Sequence, residues 1–303
     1  MNNFKTGFVT LIGRPNVGKS TLINKLIGKK VTITSPIAQT TRNKLKGILT
    51  TNDTQIIFID TPGVHKPHHL LGQKLVKNAK SAIYGVDLIL LIFDCYYEPG
   101  KGDVYIRDLL ITNKSEFIVV LNKWDLLEES IQSLRKKQYQ ELFKERLISF
   151  QEVSAKTGYG CSKLFKKIKG CLPYGNLLYP KDTVVDQPNN ILFSELIREQ
   201  VLINTREEIP HSVAVKIEKI EEIKRKGKII TAILATIIVE RKSQKGILIG
   251  KDGSMLKLIG QSARINMKKL IEGVIYLELF VKVIPHWRKK ESKLIEFGYE
   301  EDY

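Results

Sequence analysis

At 303 residues, 43% hydrophobic and 27% charged, the chain has the make-up of a soluble globular protein long enough for about two domains. No apolar run approaches the ~20 residues that span a bilayer, and the N-terminus MNNFKTGFVTLIG lacks a signal-peptide pattern. Stable transmembrane insertion and secretion are therefore not expected; a cytoplasmic protein is. The net charge of +17 suits a nucleic-acid partner or a peripheral association with the inner face of the membrane. Its distribution tempers that reading, because residues 1–180 carry 27 Lys and Arg against 14 Asp and Glu, and residues 181–303 carry 22 against 18. Cys95, Cys161 and Cys171 show neither CxxC nor zinc spacing, so reduced thiols are expected.

In chain order, residues 7–12 read as a buried strand and a helix begins near Ser20. Strands follow at 55–60, 86–94, 117–122 and 151–154, with helical patterns near 70–83, 103–113, 131–146 and 162–170 between them. Near-continuous apolar strands alternating with helices predict an α/β fold with a mixed, mostly parallel sheet covered on both faces. The pattern breaks at Pro173. Residues 173–190 read as a linker between a first domain over 1–172 and a smaller α+β domain over 191–285, with a tail over 286–303. The second unit reads as a helix at 192–203, strands at 212–223 and 228–239, a helical segment split by Gly250 to Gly253, and a strand at 274–284.

Between the first strand and its helix stands Gly13-Arg14-Pro15-Asn16-Val17-Gly18-Lys19-Ser20, which matches GxxxxGK[ST]. The glycines let consecutive backbone N–H groups converge on phosphates. Lys19 supplies a cation for the β- and γ-phosphates and Ser20 a hydroxyl for Mg²⁺. Gln39-Thr40-Thr41-Arg42 lies in the loop before the next strand. One of its threonines can complete the Mg²⁺ shell; Thr41 is favoured, and the choice stays open. Asp60-Thr61-Pro62-Gly63 ends the strand QIIFID, where Asp60 can hold Mg²⁺ and the Gly63 N–H can sense the γ-phosphate. Lys19, Thr41 and Gly63 are thus the candidates for catalysis. Val64 follows, where many GTPases carry a glutamine that orients the attacking water, and valine cannot do this. Arg42 and His65 are nearby candidates for a helper role.

Asn122-Lys123-Trp124-Asp125 directly follows the strand FIVVLN. Asp125 can accept hydrogen bonds from guanine N1–H and its 2-amino group, donors that adenine lacks. Lys123 can lie over the base. Ser154-Ala155-Lys156 follows the last strand of the first domain and can offer a backbone donor to guanine O6. In the second unit Gly250-Lys251-Asp252-Gly253 forms a GxxG turn, preceded by Lys245, Gly246, Ile247, Leu248 and Ile249 and followed by Lys257. Glycines at this spacing let backbone approach a nucleic-acid backbone, and the isoleucines and leucine can offer bases an apolar surface. Eight basic residues and one acid lie between Arg241 and Leu270.

The set GRPNVGKS, QTTR, DTPG, NKWD and SAK resembles the translation-factor-related bacterial GTPases. With the second unit it closely resembles the Era family, over essentially the whole chain. The resemblance implies a P-loop GTPase domain followed by a KH-type RNA-binding domain. It implies binding of GTP and GDP, Mg²⁺ as cofactor, and K⁺ as a second one through Asn16. It also implies binding to 16S ribosomal RNA near its 3′ end and a role in maturation of the 30S subunit. In that family the tail contacts RNA, which nominates His286, Trp287, Arg288, Lys289 and Lys290. Two other readings are an RNA-binding assembly protein with a structural nucleotide, and a switch acting on a protein or membrane partner.

Overall fold

The computed structural model describes the chain apart from residues 1–2, 36, 38–39, 43–44, 65–69, 112–115, 145–147, 226–227, 272 and 300–303. Its first part runs β1 (Lys5–Gly13), α1 (Lys19–Ile27), β2 (Leu45–Thr50), β3 (Thr54–Asp60), α2 (Leu70–Ser81), β4 (Leu88–Asp94), α3 (Lys101–Ile111), β5 (Phe117–Asn122), α4 (Glu129–Glu141), β6 (Ser149–Glu152), α5 (Cys161–Cys171) and β7 (Val185–Asp186). The strands form one sheet in the order β6-β5-β4-β1-β3-β2-β7. β1 pairs in parallel with both β3 and β4, and β2 is antiparallel to β3 and β7.

Both faces of the sheet are covered, which explains why β4 (LILLIFD) is buried almost throughout instead of alternating. Leu22 and Ile23 of α1 join Leu164 and Ile168 of α5 over Val9, Leu11, Ile56 and Phe58. On the other face Ala79, Ile106 and Tyr139 from α2, α3 and α4 pack over Ile89, Leu91 and Val119.

The second part comprises α6 (Asn189–Asn204), α7 (Ile209–Ser212), β8 (Ala214–Arg225), β9 (Lys228–Val239), α8 (Lys242–Ile249), α9 (Ser254–Met267), β10 (Val274–Val283) and α10 (Glu291–Glu296). Its sheet has the order β10-β9-β8, with β9 antiparallel to β8 and parallel to β10. α6, α8 and α9 share one core with the inward residues Val215, Ile233, Ile237 and Val281.

Three expectations need correction. β2 and β7 were not foreseen: LKGILT lacks a long apolar run, because β2 is antiparallel near the sheet margin, and β7 has two residues. The expected linker is not a free connector. It runs along the first sheet, where the Gln55 side chain accepts from the backbone N–H of Leu178 and Tyr179 and donates to the Tyr179 carbonyl. The tail does not offer its tryptophan to RNA. Trp287 is fully buried, donates from Nε1 to Ser212 O at 2.9 Å, and packs on Phe297 and Tyr299. Arg288 pairs with Glu240 at 2.6 Å.

Leu71 and Leu75 of α2 belong to the same cluster as Trp287, Leu294, Phe297 and Tyr299. The tail thus fastens a helix of the first domain to the second.

Candidate nucleotide site and nucleic-acid cleft

Four of the sequence motifs meet at the C-terminal ends of β1, β3, β5 and β6, where an open parallel sheet builds its ligand crevice. A cavity of about 520 Å³ is lined there by residues 14–20, by Thr40, Thr41 and Gly63, and by Lys123. The turn that makes it needs left-handed backbone. Gly18 has φ of 97° and the side-chain-bearing Asn16 has φ of 64°. Lys19, 6% exposed, donates to Gly13 O at 3.2 Å and Arg14 O at 2.9 Å. Burial lowers its ammonium to about 8, opposed by the Asp60 carboxylate. A bound polyphosphate would favour the charged form.

Ser20 Oγ lies 2.7 Å from Asp60 Oδ2, and Thr41 Oγ1 lies 2.9 Å from Ser20 Oγ and 3.1 Å from Asp60 Oδ2. Thr40 turns its hydroxyl away, onto Ile37 O at 2.6 Å. Of the two threonines, Thr41 is the one whose hydroxyl stands beside Ser20 and Asp60. Asp60 is fully buried and its Oδ1 has no partner among the described residues. Burial raises its carboxyl above the usual range. Two hydroxyls converging on a buried, under-satisfied carboxylate make an oxygen donor set that suits a hard divalent cation such as Mg²⁺.

The segment after Asp60 is tied to the phosphate loop: Val64 N–H donates to Gly13 O at 3.1 Å, and Thr61 Oγ1 donates to Leu11 O at 2.6 Å. Pro62 and Gly63 lie between these ties. A Cβ on Gly63 would fall 2.6 Å from Pro15 N and 2.7 Å from Pro15 Cα. Gly63→Ala should therefore push the two loops apart and weaken binding of a GTP analogue at least tenfold more than binding of GDP. Equal losses in titrations with the two nucleotides would show that this contact does not read the third phosphate.

Asn122 does more than border the base site. Its Nδ2 donates to Val17 O at 2.7 Å and its Oδ1 accepts from Ala155 N–H at 2.9 Å. It braces the phosphate loop against the loop of Ser154, Ala155 and Lys156. Lys123, at φ of 65°, pairs with Asp94 at 2.6 Å. Trp124 is half-buried and packs against the core beneath, while Asp125 and Lys156 are exposed. Asp94 was missed in the sequence reading; an acid ending a buried strand, as Asp60 does, was the available signal.

Arg42 does not face the phosphates. It is 1% exposed and donates to Val213 O at 2.6 Å, to Pro210 O at 3.3 Å and to Tyr299 Oη at 3.3 Å, all in the second domain. His65 and Gln39 lie outside the described residues. Across the same junction Arg198 of α6, held by Glu195 at 2.6 Å, donates to the Thr40 carbonyl. Glu199 accepts from Thr34 N–H at 2.8 Å and pairs with Lys30 at 2.5 Å. Ile33 joins the core of the second domain, and Ile37 packs against it. The loop between α1 and β2 is thus held by α6 at Lys30, Thr34 and Thr40. These charged residues of α6 are buried because they face the other domain.

In the second domain Gly250 and Gly253 both have positive φ, 72° and 76°, and Asp252 between them has 51°. Lys245, Gly246, Lys251, Asp252 and Lys257 are exposed around the turn. Leu248 is fully buried, and Ile249 packs against the core, so of the three apolar residues expected to face bases only Ile247 stands clear, 55% exposed. An apolar surface exists elsewhere. A cleft of about 390 Å³ between α9 and β10 is lined by Gly253, Leu256, Lys257, Gly260, Arg264, Leu277 and Leu279, among others. Gly260 lets the strand come close, since a Cβ there would lie 3.3 Å from Leu279 Cδ1. The leucines can offer bases a floor and the cations can offer phosphates a rim.

Both parts of the chain match known proteins. Residues 8–123 match the family model described as 50S ribosome-binding GTPase, and residues 208–288 match the KH domain model. GTPase Era of Nostoc sp. is 53% identical over 296 residues, covering 98% of this chain and 90% of that protein. GTPase Era of Synechocystis sp. is 49% identical, with 98% and 93% covered. A crystal structure of Era in complex with MgGDPNP and nucleotides 1506–1542 of 16S ribosomal RNA superposes with a TM-score of 0.92 at 39% identity, covering 98% of this chain and 99% of that one. A point variant of Aquifex aeolicus Era bound to GDP·AlF4⁻ gives 0.91 at 38% identity, with the same coverage.

Proposed function

The chain belongs to the Era family of GTPases, and we propose on that footing that it couples the state of its bound guanine nucleotide to the grip of its KH domain on 16S ribosomal RNA near the 3′ end, and so assists maturation of the 30S subunit. On this reading residues 1–172 are the GTPase domain, 173–190 the linker, 191–285 the KH domain and 286–303 the tail. Lys19 and the backbone of residues 13–20 hold the phosphates. Ser20, Thr41 and Asp60 would hold Mg²⁺, which would supply positive charge to offset that of the phosphates. Asp125 reads the guanine edge, and Ala155 faces O6.

The single observation that carries the coupling is the Arg198 bond to the Thr40 carbonyl, one residue from the Mg²⁺ hydroxyl of Thr41. Any state of the loop that moves Thr41 must also break or remake contacts with α6, and α6 packs on α9 beside the GxxG turn. By linkage, RNA bound at α9 and nucleotide bound at Thr41 then bias one another by the same factor. RNA crosslinking in the GTP-analogue and GDP states should differ. Equal crosslinking in both would support the reading in which the nucleotide is only structural.

Gly253→Asp keeps a residue type that tolerates positive φ and places a negative charge against the RNA backbone. It should lower RNA affinity at least tenfold with GTP affinity unchanged. RNA binding at the wild-type level would remove the GxxG clamp.

Val64, 1% exposed and apolar, cannot orient the attacking water as a glutamine there would. Slow turnover, accelerated by K⁺ beside Asn16 or by bound RNA, follows. Rates in K⁺ and Na⁺ buffers, with and without RNA, test this, and equality in all four sinks it. Peripheral membrane association is the competing reading for the protein's basic surface. No helix among the described residues is long and apolar enough to cross a membrane.

A further inference from the structure

The two longest stretches of the chain without an acidic residue are residues 1–52, with nine Lys and Arg, and residues 153–181, with six. The chain-wide frequency of 32 acids in 303 residues would put about eight or nine in those 81 positions. A general lysine-rich composition does not explain their absence, because residues 101–150 carry nine basic residues and eight acids.

The fold brings the two stretches together. They supply α1 and α5, which lie side by side on one face of the first sheet through Leu22, Ile23, Leu164 and Ile168. The buried residues of α5 are Cys161, Leu164 and Ile168. By helical periodicity Lys163 and Lys166 fall on the opposite side, and both are exposed. Lys25 of α1 lies against the loop that leads into α5, where a Cβ on Gly158 would meet Lys25 Cε at 2.5 Å. Lys29 and Lys156 are exposed at the ends of this face. Among the described residues none of these five lysines has an ion-pair partner, whereas Lys136, Lys169 and Lys30 around them are each paired with a carboxylate. Tyr159, 59% exposed, stands in the same loop as Gly158.

We propose that the α1–α5 face is a second RNA-binding surface, distinct from the GxxG cleft, that holds the phosphodiester backbone of the ribosomal RNA through Lys25, Lys163 and Lys166, with Lys29 and Lys156 at its ends. This rests on the reading of the KH domain as an RNA binder only for the identity of the polyanion. Lysines without a carboxylate partner can neutralise phosphates directly, and the cations condensed on the RNA are released as they do so; that release is the driving force. RNA is favoured over a lipid surface because the outward side of α5 presents Ser162, Lys163, Lys166 and Gly170, with no bulky apolar side chain to insert. The face also adjoins the KH domain: α1 leads directly into Lys30, which pairs with Glu199 of α6. One RNA can therefore lie on both surfaces.

The test uses the full-length protein with a GTP analogue and a triple variant, Lys25→Gln, Lys163→Gln and Lys166→Gln. None of these residues is in the nucleotide machinery, so nucleotide affinity and the melting temperature serve as folding controls. Two probes are compared, full-length 16S ribosomal RNA and a single strand of roughly eight nucleotides that occupies only the GxxG cleft, which takes about four. For the long RNA the slope of log K against log salt should fall by about 2–3, with affinity lowered roughly 10- to 100-fold at physiological salt. The short strand should bind within twofold of wild type. Gly253→Asp should show the reverse preference, losing the short strand first. An unchanged slope on the long RNA overturns the second surface and leaves the KH reading standing. Loss of binding to phosphatidylglycerol vesicles by the triple variant, with 16S binding intact, assigns the face to membranes and also overturns it. Failure of the wild type to bind the short strand, with the slope effect preserved, removes the cleft assignment and retains this surface.

Discussion

Asp125→Asn should shift the preferred nucleotide from guanine to xanthine, with GTP affinity lowered on the order of 10³- to 10⁴-fold. A carboxylate accepts two hydrogen bonds from the guanine edge. The amide of asparagine keeps one acceptor and turns a donor toward the 2-amino group, so one pair becomes donor against donor. Xanthine carries an oxygen at that position and restores the match. The loop itself should not move, because its position is set elsewhere: Asn122 braces it from below, the Trp124 side chain packs against the core, and the Trp124 backbone N–H donates to Val153 O at 3.1 Å. Competition between GTP and XTP measures the effect. A variant that still prefers GTP would refute the assignment of Asp125.

The second large effect is expected at the domain junction. Arg198→Met leaves the Glu195 carboxylate, 2% exposed, without its counter-charge. Breaking a buried pair from one side costs about 3–5 kcal/mol, so the melting temperature should fall by roughly 6–20 °C. The same change frees the Thr40 carbonyl, and Thr41 loses the fixed backbone that aims its hydroxyl at Ser20 and Asp60. Binding of a GTP analogue should therefore weaken more than binding of GDP. The double variant Glu195→Leu with Arg198→Met separates the two roles. It removes both buried charges and should regain most of the stability, but it cannot regain the contact to Thr40. If the double variant also recovers the wild-type ratio of GTP-analogue to GDP affinity, Arg198 is structural only.

The two domains touch through a second route that would share this load. Leu71 and Leu75 of α2, the helix after the Asp60–Gly63 turn, pack with the buried Trp287 and Tyr299 of the tail, and Lys74 pairs with Glu291 at 3.1 Å. Both segments that follow the phosphate contacts are therefore in contact with the KH side of the molecule. Joint movement of the two segments would therefore be a rigid-body change about an interface rather than a local loop adjustment.

The nucleotide site was legible in the sequence because its chemistry is local. A phosphate cradle is made from consecutive backbone amides, so GRPNVGKS has to be contiguous. Asp60, Asn122 and Ser154 announce themselves by standing at the ends of apolar strands, and parallel strands bring those ends to one edge. The GxxG turn was legible for the same reason: positive φ at Gly250 and Gly253 is a demand of four adjacent residues. The floor of the RNA cleft was not, since Leu256 and Leu279 come from a helix and a strand and look like core residues in a linear reading. Leu248 shows the opposite error, an apolar residue beside the turn that packing carries inward.

What the order of residues determined by itself was a guanine-nucleotide-binding domain, with candidate metal donors, and the presence of a GxxG turn. What only the tertiary structure decided was how these parts bear on one another. Arg198 meets Thr40 across 158 residues, and Arg42, adjacent to a metal donor, directs its guanidinium into the other domain. A charged group finds a buried partner only where the folded chain excludes water, and no spacing rule in a sequence encodes that. The acid-free stretches lie between the two cases. Their charge was countable in the sequence, but the packing of α1 against α5 turned two runs into one face.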